Sequence, residues 1–534
     1  MTSPGASAVG FRAKLALART TGSLSRRSGR GGGTTLPGRL LLRMAPDAVE
    51  RLGGELGGGS TIVSATNGKT TTAGMIATAL RAAGRDPVHN RAGSNMSWGV
   101  ATALLEQRGS EGLFEVDEAW LPRMATELDP RLVVLGNLFR DQLDRYGELE
   151  HLADEWAAAI AERAGRSGFV LNADDPLIAD LGRDRELRRR EGVTYFGIED
   201  PSQALPELQH AHDAKHCRRC GAPYAYERAF VGHLGHYDCP NCAADRPEPD
   251  LAATAIELRG MSGSRTTVRT PAGEAELDLP LPGLYNVYNA LAALGAALRL
   301  GVELEVAVGA LASVEAAFGR VETIEVAGVA VSILLIKNPA GANEVLRTLR
   351  LEAARESNAG ASRIDLWIAL NDRIADGRDV SWIWDADFEL LAGTARRVVC
   401  AGTRAPEIAL RLAKAPVPSS SPTAVSTGST TTRSSGIPRR SAAIWAKVVA
   451  CPCPCGEEPL AITTRPSVPS SASAVSNWPP ERSTRSATPV PASRPGGSSA
   501  RPSGRPGDSG HPADRPRESS VDAPSSSARS SSRS

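Results

Sequence analysis

The feature that most constrains the fold is a polar seven-residue loop, TNGKTTT at residues 66–72. It follows an apolar run, Thr61–Val63, that is typical of a buried strand, and it precedes a segment, Ala73–Ala83, with the composition of a helix. The first N–H groups of a helix lack intrahelical acceptors, and the helix dipole favours negative charge beside them. A strand, a glycine-containing turn and a helix in this order therefore predict an anion-binding loop.

Three residue types in this loop suit a nucleoside triphosphate. Gly68 lets the backbone approach the phosphates, Lys69 reaches the β- and γ-phosphate oxygens, and Thr70 supplies a hydroxyl to Mg²⁺. The general P-loop pattern also requires a glycine five residues before Gly68, where this chain has Val63, and a polar turn without a ligand is the alternative. The flanking strand and helix favour ATP and Mg²⁺ binding. The loop residues expected at the nucleotide are Asn67, Gly68, Lys69, Thr70 and Thr71.

The rhythm of the chain predicts an α/β protein with more than one domain. From Ser60 onward, short apolar runs alternate with helical segments, which is typical of a parallel sheet covered on both faces. At 534 residues the chain is too long for a single ordinary core. The predicted units are an N-terminal segment at 1–59, an ATP-binding α/β domain at 60–316, a smaller Rossmann-like α/β domain at 317–415 and a low-complexity tail at 416–534.

Four cysteines interrupt the ATP-binding domain at about residues 210–245, in the order Cys217-x₂-Cys220-x₁₈-Cys239-x₂-Cys242. Two CxxC pairs at this spacing predict a zinc ribbon. Four thiolates would complete a tetrahedral shell, so Zn²⁺ would be structural rather than catalytic. The nearby histidines His216, His233 and His236 are then expected at the surface. Redox dithiols and free buried cysteines are the alternatives.

The last 119 residues, 416–534, differ from the rest because Ser, Pro, Arg, Thr and Ala dominate them without a sustained period. Such a segment buries too little apolar surface to offset its ordering entropy. Two explanations are open: a disordered tail, or out-of-frame translation after about Ala415. The second is favoured, because the preceding α/β unit ends before its sheet is complete.

Charge and hydropathy exclude other classes. The formal net charge is +1, and no basic and aromatic stripe accompanies the cysteines, so no nucleic-acid partner is expected. No run of about 18 apolar residues is present, so no segment is expected to span a membrane. A cytoplasmic protein is the expectation.

Five further segments follow the loop in an order that identifies a family. They are EVDE at 115–118, NLFRDQLD at 137–144, NADDP at 172–176, GLYNVYNA at 283–290 and GRVE at 319–322. Together with TNGKTTT they resemble motifs of the Mur ligases and the related folylpolyglutamate synthases. The resemblance implies a Mur ligase-type central ATPase domain followed by a Rossmann-like C-terminal domain.

The same resemblance implies roles for individual residues. Glu115 would hold Mg²⁺ together with Thr70, and Asn286 and Asn289 would lie near the adenine. Arg320 would bind phosphate, with a plain ion pair as the alternative. For Asp174 and Asp175, in the NADDP segment, a turn-stabilising role is favoured over a chemical one. Likewise, Asn286 and Asn289 could simply cap a helix.

Departures from the general pattern point to one branch of the family. Gln142 and Tyr285 stand where the family usually has histidine, and residues 1–59 are too short for a UDP-sugar-binding domain. The cysteine insert is foreign to typical Mur ligases. With the segments KNPAGANE at 337–344 and NDRIADGRDVSW at 371–382, these departures resemble the MurT branch.

That branch implies an activity and a partner. A carboxylate is activated by ATP as an acyl phosphate, and ammonia displaces the phosphate to form an amide. The implied substrate is the D-glutamate α-carboxylate of the lipid II stem peptide at the inner face of the membrane, in peptidoglycan biosynthesis. Ammonia would come from a GatD-like glutaminase in a heterodimer, whose catalytic set an aspartate of this chain, Asp372 or Asp376, would complete.

Two rival functions are open. The first is another amino-acid ligase of the Mur or folylpolyglutamate type, against which the cysteine insert and the 371–382 segment argue. The second is an inactive nucleotide-binding scaffold, against which the set of Lys69, Thr70 and Glu115 argues.

Overall fold

The computed structural model describes residues 4–27, 35–91, 94–141, 149–183, 192–210, 212–314, 321–326, 329–358, 364–372, 379–415, 417, 419–420 and 443–447. Within these ranges no helix is both long enough and apolar enough to cross a bilayer.

A nine-stranded sheet forms the larger part of the molecule, in the order β11-β10-β9-β6-β5-β4-β1-β3-β2. Its seven strands from β9 to β2 are parallel, and β10 and β11 continue the sheet antiparallel at one edge. The strands are β1 (Ser60–Ser64), β2 (Val88–His89), β3 (Gly112–Glu115), β4 (Leu132–Leu135), β5 (Gly168–Asn172), β6 (Val193–Ile198), β9 (Leu251–Leu258), β10 (Ser264–Thr270) and β11 (Gly273–Leu279). The alternating apolar and polar residues at 195–280 predict added antiparallel strands, and β10 and β11 confirm them.

Helices cover both faces of this sheet. They are α1 (Pro4–Arg27), α2 (Leu36–Met44), α3 (Ala48–Gly53), α4 (Lys69–Ala82), α5 (Ser97–Glu106), α6 (Leu121–Leu128), α7 (Leu149–Glu162), α8 (Pro176–Leu181), α9 (Leu284–Arg299) and α10 (Leu304–Ala312). Neighbouring strand residues point to opposite faces: Val63 packs in the core under α4, α9 and α10, whereas Ile62 packs in the core on the opposite face. Two buried layers explain why these strands are apolar throughout.

A six-stranded sheet follows, in the order β12-β13-β17-β14-β15-β16. All neighbours are parallel except β12 and β13. Its elements are β12 (Val321–Val326), β13 (Val329–Leu334), α11 (Pro339–Asn358), β14 (Ile364–Ala369), β15 (Ala395–Ala401), α12 (Ala405–Lys414), β16 (Ser419–Ser420) and β17 (Ala443–Lys447). The predicted tail at 416–534 therefore contains two strands of this sheet, and its remaining residues, apart from 417, lie outside the described part.

The predicted α/β architecture, with a parallel sheet covered on both faces, is confirmed, with one correction near the N-terminus. Residues 1–59 suggest a single helix, at 46–56, but the structure has three, α1 to α3. Phe11 and Ala18 of α1 are buried, and the Arg19 Nε donates a hydrogen bond to Leu105 O at 2.9 Å. The small, widely spaced apolar residues of this basic segment gave too weak a periodic signal.

Candidate active site

The phosphate loop connects β1 to α4 as predicted. Gly68 precedes α4 with φ of +91°, in the left-handed region that side chains rarely adopt. A Cβ at this position would lie 2.0 Å from Asn289 Oδ1, so the Asn289 side chain would have to move. Both the turn and the neighbouring side chain therefore require glycine here.

Lys69, the first residue of α4, is held in a buried ion pair. Its Nζ lies 2.6 Å from Glu118 Oε2 and donates a hydrogen bond to Ala65 O at 2.5 Å. Although burial disfavours the ammonium charge, Glu118 and Asp117 outweigh it and raise the pKa of Lys69. Burial likewise opposes the charge of Glu118, but Lys69 and Lys337 lower the pKa of this carboxyl. The loop therefore contains a fixed positive charge at neutral pH.

Thr70 and Glu115 meet at the carboxyl ends of β1 and β3. The Thr70 hydroxyl donates to Glu115 Oε2 at 2.7 Å. Asn90 fixes the backbone of Glu115, since its Nδ2 donates to Glu115 O at 2.8 Å and its Oδ1 accepts from Glu115 N at 2.9 Å. A hydroxyl and a carboxylate are the oxygen ligands that Mg²⁺ prefers, so this pair fits the predicted cation.

The two asparagines of α9 reach the phosphate loop from the other side. Asn289 Oδ1 accepts from the Thr72 hydroxyl at 3.3 Å, and Asn289 Nδ2 donates to Asn286 Oδ1 at 3.0 Å. Asn286 Nδ2 in turn donates to Pro282 O at 2.8 Å. These buried amides connect α9 to α4, and their contact with adenine stays a prediction. Thr71 is half-buried in the first turn of α4.

Side chains from outside the loop clamp Asn67, which sequence reasoning did not foresee. Its backbone N–H donates to Asn137 Oδ1 at 2.9 Å, and its carbonyl accepts from Asn137 Nδ2 at 3.1 Å. Its side chain exchanges two hydrogen bonds with the side chain of Asn338, at 3.0 and 3.3 Å. Lys337 adds a hydrogen bond from Nζ to Thr66 O at 3.2 Å and an ion pair with Asp141. The KNPAGANE segment therefore contacts the phosphate loop directly.

The two aspartates of the NADDP segment have structural partners. Asp175 caps α8, accepting from Leu177 N at 2.9 Å, and its second oxygen accepts from Leu138 N at 2.8 Å. Asp174 is completely buried and lies 2.7 Å from both Arg246 Nε and the Tyr288 hydroxyl. These contacts agree with the turn-stabilising role favoured above.

The remaining predicted site residues lie in or beside the second sheet. Asp372 follows β14 and accepts from the Thr403 hydroxyl at 2.8 Å, and the Arg404 Nε lies 3.0 Å from its other oxygen. Asp376 and Arg320 lie outside the described residues. The structure places Asp372 in a local polar cluster with Thr403 and Arg404.

The four predicted metal ligands converge. Their Sγ atoms all lie within 4.8 Å of one another, with Cys220–Cys239 at 3.4 Å and Cys217–Cys242 at 3.7 Å. Tetrahedral zinc with Zn–S bonds of about 2.3 Å requires sulfur–sulfur separations of about 3.8 Å. A disulfide requires about 2.05 Å, so these cysteines are unpaired thiols whose spacing fits a tetrahedral ion.

A hairpin of β7 (Ala225–Val231) and β8 (Leu234–Asp238) connects the two cysteine pairs. Gly221 has φ of +74° and turns the chain back after the first pair, where its N–H donates to Cys217 O at 2.8 Å. The expectation that His233 is a surface residue is wrong. His233 in the hairpin turn is fully buried against Phe139, with its Nε2 3.4 Å from Asp175 Oδ2. His236 is also mostly buried, whereas His216 is exposed.

The fold and the loop define the class. Residues 63–297 match the family model of the Mur ligase middle domain. Among solved structures, a pseudomurein peptide ligase type C from Methanothermus fervidus aligns with a TM-score of 0.55 at 21% identity, covering 73% of this chain and 76% of that one. MurF from Acinetobacter baumannii aligns with a TM-score of 0.52 at 19% identity, covering 72% and 71%. The protein thus has the fold of the Mur ligases.

Two further matches specify the branch. Residues 335–439 match the MurT ligase C-terminal family model, which extends beyond residue 415. The chain is 30% identical to the MurT subunit of the glutamine-hydrolysing lipid II isoglutaminyl synthase of Staphylococcus aureus, over 72% of this chain and 84% of the relative. It is 32% identical to the corresponding subunit of Streptococcus pneumoniae, over 72% and 82%. The chain belongs to the MurT family.

Proposed function

We propose that this protein uses ATP to convert the D-glutamate α-carboxylate of the lipid II stem peptide to an amide, giving D-isoglutamine during peptidoglycan biosynthesis. Membership of the MurT family supports the reaction class, because the S. aureus and S. pneumoniae relatives are named as subunits of a lipid II isoglutaminyl synthase. The observation that carries the proposal is the phosphate loop with its contacts to the EVDE segment, Lys69 with Glu118 and Thr70 with Glu115.

The chemistry proceeds in two steps. A carboxylate oxygen of the substrate attacks the γ-phosphorus of ATP, ADP leaves, and an acyl phosphate forms. The nitrogen of ammonia then attacks the acyl carbon, phosphate leaves with the bonding pair, and one proton is lost from nitrogen. Bound Mg²⁺ would supply charge neutralisation on the phosphates, and the residues that fit it are Thr70 and Glu115.

The chain itself contributes positioning and charge. Lys69 stays protonated because Glu118 and Asp117 raise its pKa, so its ammonium would neutralise charge on the transferring phosphoryl group. Gly68 leaves the α4 amides accessible to phosphate oxygens. Asn286 and Asn289 are proposed to line the adenine side, and Arg320 to bind phosphate.

Ammonia is proposed to come from a GatD-like glutaminase that forms a heterodimer with this chain at the inner face of the membrane. The relatives' names describe a glutamine-hydrolysing synthase made of subunits. Asp376 or Asp372 is proposed to complete the partner's catalytic set. Asp376 is the better candidate of the two, since Asp372 already pairs with Thr403 and Arg404.

Zn²⁺ is the proposed occupant of Cys217, Cys220, Cys239 and Cys242. The four Sγ atoms, all within 4.8 Å of one another, support a closed, structural site. The ion would stabilise the fold of the insert rather than act on the substrate.

The direct test supplies purified chain with ATP, Mg²⁺, lipid II and an ammonium salt, and follows the stem peptide by mass spectrometry. Replacing a carboxylate OH by NH₂ lowers the mass by about 1 Da, and fragmentation locates the amide. ATP consumption on another acceptor without amidation would favour a different amino-acid ligase. Absence of both would favour a nucleotide-binding scaffold.

A further inference from the structure

The cysteine insert (residues 210–245) contacts the ATP-binding sheet. It also contacts the C-terminal unit, which is the six-stranded sheet with α11, α12 and their connecting segments. Arg347 of α11 donates from Nη1 to Phe230 O of the hairpin at 2.7 Å. The same Nη1 lies 2.8 Å from Glu344 Oε1, and Glu344 is almost completely buried. Because the acceptor on the hairpin is a backbone carbonyl, this contact depends on the position of the strand rather than on a particular side chain.

Two more polar contacts join the same surfaces. Arg140, in the segment that follows β4, pairs with Asp213 of the insert and lies 3.3 Å from Asp385 of the C-terminal unit. His210 Nδ1 lies 3.0 Å from Asp387 Oδ1, whose other oxygen accepts from Asn343 Nδ2 at 2.7 Å. The insert therefore contacts the C-terminal unit at its hairpin and at its first residues.

The insert is also fastened to the ATP-binding sheet. Arg218 and Arg219, between the first two cysteines, both pair with Asp180 of α8, at 3.1 and 2.6 Å. At the hairpin, Gly235 N donates to Asp174 O at 2.9 Å. The insert therefore binds the ATP-binding domain through Arg218, Arg219 and Gly235, while Phe230 of its hairpin contacts α11.

The position of α11 determines whether Asn338 and Lys337 reach the phosphate loop. Asn338, which immediately precedes this helix, exchanges hydrogen bonds with Asn67 of the phosphate loop. Lys337, the residue before Asn338, donates from Nζ to Thr66 O, the carbonyl of the residue before Asn67. A displacement of α11 would therefore withdraw both side chains from the loop, and small displacements at reacting groups cost large factors in rate.

We propose that the metal-ordered cysteine insert seats the C-terminal unit over the phosphate loop, and that Arg347 is the positioning residue that makes this contact. The metal thereby affects catalysis through the position of α11. The kinetic consequence rests on the ligase function proposed above, whereas the structural consequence does not.

The test uses the full chain with its glutaminase partner and the double variant Glu344→Gln/Arg347→Met. Changing both residues avoids leaving a buried carboxylate without its cation. The kcat is expected to fall about tenfold or more, with the KM for ATP changed less than threefold, because the loop of α4 stays intact. Arg347→Lys, which keeps one donor for Phe230 O, is expected to recover part of the kcat. Arg350→Ala, an exposed arginine on the same helix, is the matched control and is expected to behave like the parent.

The same reaction is then run after Zn²⁺ removal with a chelator selective for Zn²⁺ over Mg²⁺. If the metal acts through Arg347, removing Zn²⁺ from the double variant lowers its kcat little further. The kcat then stays close to that of the metal-containing double variant and of the chelated parent. Multiplying effects, or a double variant with the parent's kcat, would overturn the proposal. Addition of Zn²⁺ is expected to restore the parent enzyme and not the double variant.

Hydrogen–deuterium exchange supplies a readout that does not depend on ligase activity. Amides at the start of α11, residues 336–346, are expected to exchange about tenfold faster in the double variant and in chelated parent. Those of α9 are expected to stay unchanged. If the parent lacks amidation activity the proposed function fails, and this exchange pattern still decides the seating proposal. Unchanged exchange at 336–346 in either sample would contradict it.

Discussion

Two side-chain contacts join the EVDE segment to the start of α4 beside the phosphate loop. The Lys69 Nζ lies 2.6 Å from Glu118 Oε2. The Thr70 hydroxyl donates to Glu115 Oε2 at 2.7 Å. Both carboxylates come from the EVDE segment, so one short stretch of chain sets the charge of the site.

Gly68→Ala tests the geometry of the loop. We expect ATP affinity to fall more than about tenfold, because the added methyl would meet Asn289 Oδ1 and the residue would be held at positive φ. Titration calorimetry with ATP and Mg²⁺ measures this. Gly74→Ala is the matched control: it lies in α4 with open space around it, so it should stabilise the fold by about 0.5–1 kcal/mol and leave affinity unchanged. Parent-like affinity of Gly68→Ala would contradict the assignment.

Glu115→Gln tests the cation site. Loss of one negative ligand is expected to lower ATP turnover by about 10²-fold at low Mg²⁺, with partial recovery at high Mg²⁺. A titration of turnover against Mg²⁺ measures the shift. Glu150→Gln, on the exposed start of α7, should leave the curve in place. An identical Mg²⁺ curve for Glu115→Gln would remove this residue from the site.

Local residue chemistry was readable in the sequence, but its long-range partners were not. Gly68, Lys69 and Thr70 were predictable because the strand, turn and helix are contiguous. The contact of Asn67 with Asn338 joins positions 271 residues apart, and no local pattern indicates it. His233 was misplaced for the same reason, since its burial depends on how the hairpin turn packs against Phe139.

At the scale of elements, the alternating apolar runs predicted the parallel strands because each is buried on both faces. In the second unit the apolar runs predict strands at Val321–Val326 and Ile364–Leu370, which agree with β12 and β14. The N-terminal helices were missed because their stability comes from packing on the sheet rather than from their own periodicity. Strand β17 was missed because Ala443–Lys447 stands in a Ser- and Pro-rich context that carries no strand pattern.

The cysteine insert gives a prediction of its own. Purified protein is expected to contain one Zn²⁺ per chain, and Cys217→Ser should lose it and unfold at least about 5 °C lower. Elemental analysis and thermal denaturation measure the two effects. His216→Ala, next to the first cysteine and exposed, should retain both the metal and the melting temperature. Full Zn²⁺ content in Cys217→Ser would contradict a four-sulfur site.

At the scale of the whole molecule, the proposed reaction requires two subunits, because the glutaminase partner supplies ammonia to this chain. With glutamine as nitrogen source, Asp376→Asn is expected to lower amidation by at least about 10²-fold, because the partner's catalytic set would be incomplete. With an ammonium salt the same variant should match the parent. Asp372→Asn is the comparison variant, expected to be active with both sources since its carboxylate has local partners. Loss with both nitrogen sources would place Asp376 in the ligase reaction instead.

The central claim is amidation of a stem-peptide carboxylate, and the most direct measurement is mass spectrometry of lipid II after incubation with this chain, ATP, Mg²⁺ and an ammonium salt. The account predicts a product lighter by about 1 Da with the amide on the D-glutamate α-carboxyl, formed with stoichiometric release of ADP and phosphate. The substitution Lys69→Ala should abolish formation of this product. Unmodified lipid II in the presence of continuing ATP hydrolysis would contradict the claim.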